Sequence, residues 1–106
     1  MAWIYLVIAG LLEVVWAYSM KLSDGFSRPV PATVTIVAMI MSFTLLAMAM
    51  RSLPLGTAYM MWTGIGAVGA FILGVVLLGE AVTAMRVAAA LLIVGGLVLM
   101  KLSSPA

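Results

Sequence analysis

Four long apolar stretches, separated by short polar segments, run through the sequence. Each is close to the ~20 residues that an α-helix, rising about 1.5 Å per residue, needs to cross a hydrocarbon core about 30 Å thick. The pattern therefore predicts an all-α membrane protein, folded as one domain over residues 1–106 with four transmembrane helices. We expect the helices to cover about residues 1–21, 32–50, 57–79 and 84–102.

The segments between the stretches have the composition of turns. Residues 22–31 (LSDGFSRPVP) combine Asp, Gly and Ser with two prolines, and Pro54 suits the start of a helix better than its interior. Only fourteen residues separate Arg86 from Lys101 in the last predicted helix, which is short for a span. Both long side chains can reach the headgroups from below the surface, so a full crossing is still expected.

The composition limits what kind of protein this is. The chain is 67% hydrophobic and 8% charged, with a mean hydropathy of +1.36, so we expect lipid to be its solvent. There is no cysteine and no histidine, which removes disulfides, thiolate chemistry and the commonest metal ligands. No nucleophile–base pair or cofactor-binding loop is recognisable. We expect neither an enzyme nor a bound cofactor or metal, and the net charge of +2 is too small to indicate a nucleic-acid partner.

The distribution of basic residues gives only a weak bias for one orientation in the membrane. With four spans, Arg51 and Lys101 lie on one side, and Lys21, Arg28 and Arg86 lie on the other. Orientation follows the excess of Lys and Arg in cytoplasmic loops, and this excess is close to nil. A weak bias can still give a single orientation. Four helices leave little room for a pathway, however, so we predict an oligomer, specifically dual insertion and an antiparallel homodimer.

Glu13 is the single acidic residue within the apolar stretches, a little past the middle of the first. An ionisable side chain at this depth is costly and is by default a functional candidate that faces a protein interior or a water-filled cavity. The alternative is a protonated side chain that makes a structural hydrogen bond between helices. We predict that the function of the chain depends on Glu13.

Other polar and aromatic residues share helical faces with Glu13 or lie at similar depth. Trp16 follows Glu13 by about one turn, so its indole N–H, a donor only, could reach the carboxylate. In the second stretch Ser42 is the strongly polar group nearest mid-span, and in the third Tyr59 and Trp62 share a stripe. Tyr and Trp can also be anchors at the membrane interface. This alternative is stronger for Tyr59, near the end of its span, than for Trp16 and Trp62, which lie deeper.

Small residues mark places where helices could approach closely. Gly64, Gly66 and Gly69 crowd the third stretch and are explained either by packing or by a hinge. In the fourth, Ala89 and Gly96 are seven residues apart, the repeat of an interhelical seam. Because that stretch carries little else that is polar, we predict that it forms the dimer interface.

Several motifs together resemble the small multidrug resistance family, and the resemblance covers nearly the whole chain. They are GLLEVVWA at residues 10–17, Lys21, Gly25–Phe26, PLGTAY at residues 54–59 and WTGIGA at residues 62–67. Within the family, Trp16 and the run TGIGAVGA are similar to the guanidinium exporter subtype, since the quaternary ammonium exporters typically have glycine at the position of Trp16.

The resemblance implies an antiparallel homodimer of the bacterial inner membrane that exchanges protons for guanidinium. Its site would contain Glu13 from both subunits, lined by Trp16, Ser42, Tyr59 and Trp62. We add weaker candidates for the lining: Gly10, Met39, Met60 and Thr63. Met60 departs from the subtype, which usually has a small residue there, and this leaves a broader exporter of quaternary ammonium cations as the alternative.

The chemistry of the residues agrees with this function. Guanidinium is planar, rich in N–H donors and able to pair with a carboxylate through two hydrogen bonds, while aromatic faces add a cation–π attraction. A proton and a cation would compete for Glu13, and competition at a site open to one side at a time is exchange. A small cation channel would not need that competition, and a membrane interaction subunit would leave Glu13 without a role.

Overall fold

The computed structural model describes residues 1–103, which form four helices. They are α1 (Ala2–Leu22), α2 (Pro29–Ala49), α3 (Leu55–Leu78) and α4 (Ala84–Ser103). Each is long and apolar enough to cross a membrane, so the predicted all-α architecture with four membrane-spanning helices is confirmed. The bounds lie within three residues of those expected from the sequence.

The largest difference in bounds is at the start of α2. The prolines in residues 22–31 favoured a turn up to residue 31, but α2 already begins at Pro29. The first turn of a helix needs no backbone N–H donors from its own residues, so Pro29 and Pro31 fit there without losing a helical hydrogen bond. In the same way Pro54 immediately precedes α3, which begins at Leu55.

The turn between α1 and α2 is built around the buried Ser23. Its hydroxyl donates to the carbonyl of Met20 at 2.7 Å and accepts the N–H of Phe26 at 3.1 Å. Asp24, Gly25 and Phe26 all have left-handed backbone conformations, with φ of 50°, 70° and 66°. These local bonds offset part of the cost of the left-handed backbone and let the chain reverse within a few residues.

Helix α1 is the centre of the fold, packing against α2 on one side and α3 on the other. The backbone of α4 approaches only that of α3, and its Lys101 ammonium lies 4.4 Å from the centroid of the Trp3 ring on α1. The hydrophobic core lies where α1 begins and α2 meets α3. It includes three alanines with no exposed surface, at which the backbones approach closely: Ala9, Ala49 and Ala58.

The glycines of α3 are sites of helix packing. A Cβ added to Gly69 would collide with Val14 of α1, and one added to Gly64 would collide with Leu97 of α4. On α1, Gly10 is likewise packed against Ile65 of α3. Helix α3 runs without interruption through these positions. The contacts support the packing explanation, and a hinge role for Gly64, Gly66 and Gly69 stays a prediction.

Helix α4 is the least covered element. None of its residues is buried, and Ala89 and Gly96 are both exposed on the rims of grooves between α4 and α3. A Cβ added to Gly96 would meet no atom within 4 Å. The small residues expected to form a dimer seam are therefore accessible to a second subunit, and the seam itself stays a prediction.

Candidate functional site

Glu13 lies at the interface of α1 and α3, opposite Gly66. A Cβ added to Gly66 would collide with the Glu13 carboxyl group, so the side chain rests on the bare backbone of α3. Glu13 is partly buried, and its Oε1 has no hydrogen-bond partner within residues 1–103. An unsatisfied buried oxygen costs about 1–3 kcal/mol, or more when charged, so this atom is suited to accept a proton or the N–H groups of a cation.

Trp16 does not make the hydrogen bond to Glu13 that its position in the sequence suggested. Its Nε1 is buried and lacks a hydrogen-bond partner within the described part of the chain. The indole instead packs edge-on against Phe43 of α2, with 6.3 Å between ring centroids and an angle of 65°. Trp16 thus keeps an N–H donor that no acceptor within residues 1–103 uses.

A row of aromatic rings connects three helices. Phe43 of α2 lies between Trp16 and Trp62, and its centroid is 5.7 Å from that of Trp62, which in turn lies 5.5 Å from Tyr59. Phe43 was missed by the sequence analysis. It is the aromatic residue of α2 and follows Ser42 directly, which is the signal in the sequence that could have identified it. Aromatic faces attract cations, so this row is a candidate for cation–π contacts.

Ser42 joins the three helices through hydrogen bonds. Its hydroxyl donates to the carbonyl of Ala9 on α1 at 2.7 Å and accepts the indole N–H of Trp62 on α3 at 3.0 Å. The side chain is fully buried. Because the hydroxyl donates its single proton to α1, the Ser42 oxygen is left to accept from Trp62 and fixes the position of that indole.

Tyr59, Met60 and Thr63 line a different space, the groove between α3 and α4. This groove has a volume of about 440 Å³. Tyr59 belongs to both regions, since its ring also contacts Trp62, while Met60 is 55% exposed and Thr63 is exposed. At about 100° per residue, Met60 lies roughly a third of a turn away from the face of α3 that carries Gly66.

Two further candidates, Gly10 and Met39, contribute no polar side-chain group. Gly10 is buried one turn before Glu13 and serves the contact with Ile65, and Met39 is partly buried on α2. Among residues 1–103 no three metal-ligating side chains come together.

We predict that Ser42→Ala destabilises the protein by about 1–3 kcal/mol, because the buried Trp62 N–H loses its acceptor. The free energy of unfolding in detergent and the Trp62 indole NMR resonance are the measurements. Thr44→Ala is the matched control, since the Thr44 hydroxyl is exposed and bonds only to its own helix, at the carbonyl of Ile40. Equal effects of the two substitutions would show that the Ser42 bonds do not hold the helices together.

Comparison with known proteins agrees with this architecture. The family model for the Small Multidrug Resistance protein matches residues 1–93. The chain is 62% identical over 104 residues to the guanidinium exporter of Escherichia coli (strain K12). The aligned region covers 98% of this chain and 99% of that protein.

Two further relatives show the same extent of similarity. The guanidinium exporter of Yersinia pseudotuberculosis is 60% identical, over 98% of this chain and 100% of that protein. The guanidinium exporter of Salmonella typhimurium is 56% identical, over 98% of this chain and 99% of that protein. The resemblance seen in the motifs is thereby confirmed, and membership in a transporter family supports a transporter rather than an enzyme. The chain is an integral protein of the bacterial inner membrane and belongs to the small multidrug resistance family.

Proposed function

We propose that this protein exports guanidinium and small substituted guanidinium cations in exchange for protons, with Glu13 of both subunits of a homodimer binding proton and cation competitively. One observation carries the proposal. Glu13, the acidic residue within the four helices, rests on the bare backbone at Gly66. Its buried Oε1 has no hydrogen-bond partner within residues 1–103. The names of the similar proteins, all guanidinium exporters, supply the substrate.

The chemistry of the substrate matches this environment. Guanidinium presents N–H donors in one plane and can form two parallel hydrogen bonds to a carboxylate. The rings of Trp16, Phe43 and Trp62 add a cation–π attraction of about 0.5–2 kcal/mol, larger when the cation is desolvated. A proton on Glu13 removes both the charge and one acceptor position, so a bound proton and a bound guanidinium exclude each other.

Exchange follows from this exclusion if the site opens to one side at a time. Protons arriving from outside displace the cation, and a cation arriving from inside displaces the protons. If two carboxylates release one proton each for one monovalent cation, the cycle moves net charge. The membrane potential then contributes about 2.3 kcal/mol per charge per 100 mV.

An antiparallel homodimer is part of the proposal. Helix α4 leaves small exposed residues, among them Ala89 and Gly96, and close approach at such residues stabilises helix pairs in lipid. The near balance of Lys and Arg on the two sides favours insertion in both orientations. A second copy inserted upside down would bring its own Glu13 to a similar depth, since that residue lies close to mid-span.

The alternative function, export of quaternary ammonium cations, is favoured by one feature. Met60 lines the groove of about 440 Å³ between α3 and α4, and a flexible thioether adapts to alkyl groups of varied shape. Against it, a quaternary ammonium offers no hydrogen-bond donor to satisfy the Glu13 carboxylate.

We predict that Glu13→Gln abolishes proton-coupled guanidinium exchange in proteoliposomes while the protein stays folded. Glu13→Asp should keep part of the activity with a shifted pH profile, because its carboxylate recedes by about 1.5 Å, one bond length. In the wild type, guanidinium binding should weaken as pH falls, since protons then occupy Glu13. The measurement is guanidinium uptake driven by a pH gradient.

Asp24→Asn is the matched control for Glu13→Gln. It removes the same charge in the α1–α2 turn, where Asn tolerates the left-handed backbone, and it should leave the exchange unchanged. Uphill guanidinium transport by Glu13→Gln would refute the mechanism. Guanidinium flux through the wild-type protein that does not depend on the pH gradient would instead indicate a channel.

We predict that about half of a Ser27→Cys variant is labelled by an impermeant thiol reagent in intact cells, because both orientations are inserted. The native chain has no cysteine, so the label reports this exposed position alone. Adding Ser52→Lys places a positive charge on the opposite side and should raise the labelled fraction towards all. Nearly complete or nearly absent labelling of Ser27→Cys itself would contradict the antiparallel dimer.

We predict that guanidinium and singly substituted guanidines exchange at least about tenfold better than a large polyaromatic quaternary ammonium drug. The reason is that charge-assisted hydrogen bonds contribute about 1.5–3 kcal/mol that the drug cannot recover. Met60→Ala should reduce exchange of the alkylated guanidines, with the exposed Met85→Ala as control. Competition in the exchange assay is the measurement, and preference for the drug would favour the broader multidrug function.

A further inference from the structure

A second carboxylate, that of Glu80, is placed against α3 in the same way as Glu13. Helix α3 ends at Leu78, and the next residue, Gly79, turns the chain back with a left-handed φ of 69°. The Glu80 N–H donates to the carbonyl of Gly74 at 3.0 Å. A Cβ added to Gly74 would lie 2.8 Å from Cδ of Glu80. The Glu80 carboxyl group therefore occupies the space that a side chain at residue 74 would fill.

The two carboxylates lie along one face of the α1–α3 interface. Gly66 and Gly74 are separated by two turns and about 12 Å along α3, with Ala70 between them on the same face. A cleft of about 140 Å³ continues from Ala70 to the end of α3, where Glu80 closes it. Its lining residues are Ala17, Tyr18, Ala70, Leu73, Gly74 and Leu78. Ala17 follows Glu13 by about one turn, so the cleft extends the site towards the membrane surface.

Glu80 already faces a guanidinium group, that of Arg86 on α4. The distance from Nη2 of Arg86 to Oε1 of Glu80 is 3.8 Å, and Cζ of Arg86 lies 5.7 Å from the centroid of the Phe71 ring. A carboxylate and an aromatic face are the two groups that guanidinium requires. Both partners are more than 40% exposed, at 47% and 43%, and an ion pair this open is weak and exchangeable.

We propose that Glu80 and Phe71 form a second guanidinium site. Glu80 lies at the outer end of the α1–α3 cleft, and Phe71 lines the groove between α3 and α4 together with Arg86. The side chain of Arg86 occupies this site, and free guanidinium takes it by displacing Arg86. This inference rests on the proposed function, because it assumes guanidinium as the substrate. The site would hold the cation about two helical turns from Glu13. Substrate that enters or leaves on the side of the membrane where Glu80 lies would therefore bind there weakly on its way. Arg86 would cover the site between substrates.

The test uses the full-length Glu13→Gln protein in detergent, in which the proposed main site is disabled, and guanidinium chloride as the probe. Side-chain Nε–Hε NMR resonances of the arginines are followed during the titration. We expect the Arg86 resonance to move saturably, while those of Arg28 and Arg51 move no more than with tetramethylammonium chloride of equal concentration. That salt matches the ionic strength but has no N–H donors.

Further substitutions in the Glu13→Gln protein assign the site. Glu80→Gln has nearly the same shape and should abolish the saturable change, whereas the matched control Asp24→Asn should preserve it. In radiolabelled guanidinium binding, Arg86→Gln should raise the affinity up to about fivefold because it removes a competitor held by a weak ion pair. Phe71→Leu should lower the affinity about twofold to fivefold, the range of an exposed cation–π contact.

The possible failures are distinguishable. Absence of a saturable Arg86 response, persistence of that response in Glu80→Gln, or an equal response to tetramethylammonium would overturn the second site and leave Glu13 untouched. Proton-coupled guanidinium transport that survives Glu13→Gln would overturn the proposed function, whatever Arg86 does.

Discussion

The contact between the Glu13 carboxyl group and the bare backbone at Gly66 is the constraint on which the rest of the fold depends. A carboxylate in a membrane helix is tolerated only where protein or water covers it, so α1 must face another helix at this depth. The close approach of α1 and α3 continues at Gly10 and Gly69, whose missing side chains leave room for Ile65 and Val14. A larger residue along this seam would separate the helices and open the acid to lipid.

Polar groups in the interior divide into two kinds. Ser42 accepts the Trp62 N–H and donates to the carbonyl of Ala9, which ties α2 and α3 to α1 and makes that part of the chain rigid. Glu13 and Trp16 instead keep buried atoms without partners in the described chain, as does Trp3 near the start of α1. An unsatisfied buried group costs free energy, and a ligand that satisfies it recovers that cost. Glu13 and Trp16 are therefore candidates for binding, whereas Ser42 and Trp62 support the fold.

The sequence by itself determined the architecture and the residue at its centre. Four apolar stretches of spanning length leave only helices as possible structures, since backbone groups in lipid must bond within their own segment. Glu13 stood out because it is the acid within those stretches, and the motifs around it indicated the family. The start of α2 was misplaced because proline reads as a turn signal, although the first helical turn accepts Pro29 and Pro31.

Only the tertiary structure decided which groups meet. Helical periodicity states which residues share a face, but neither which helix lies opposite nor which rotamer a side chain adopts. Trp16 therefore packs on Phe43 instead of bonding to Glu13, and Met60 lines the α3–α4 groove away from the acid. Glu80 lies in the connection between α3 and α4, and the left-handed turn at Gly79 brings its carboxyl group against Gly74 of α3. Such contacts join residues far apart in the chain, and they depend on the summed packing of all four helices instead of on any local pattern.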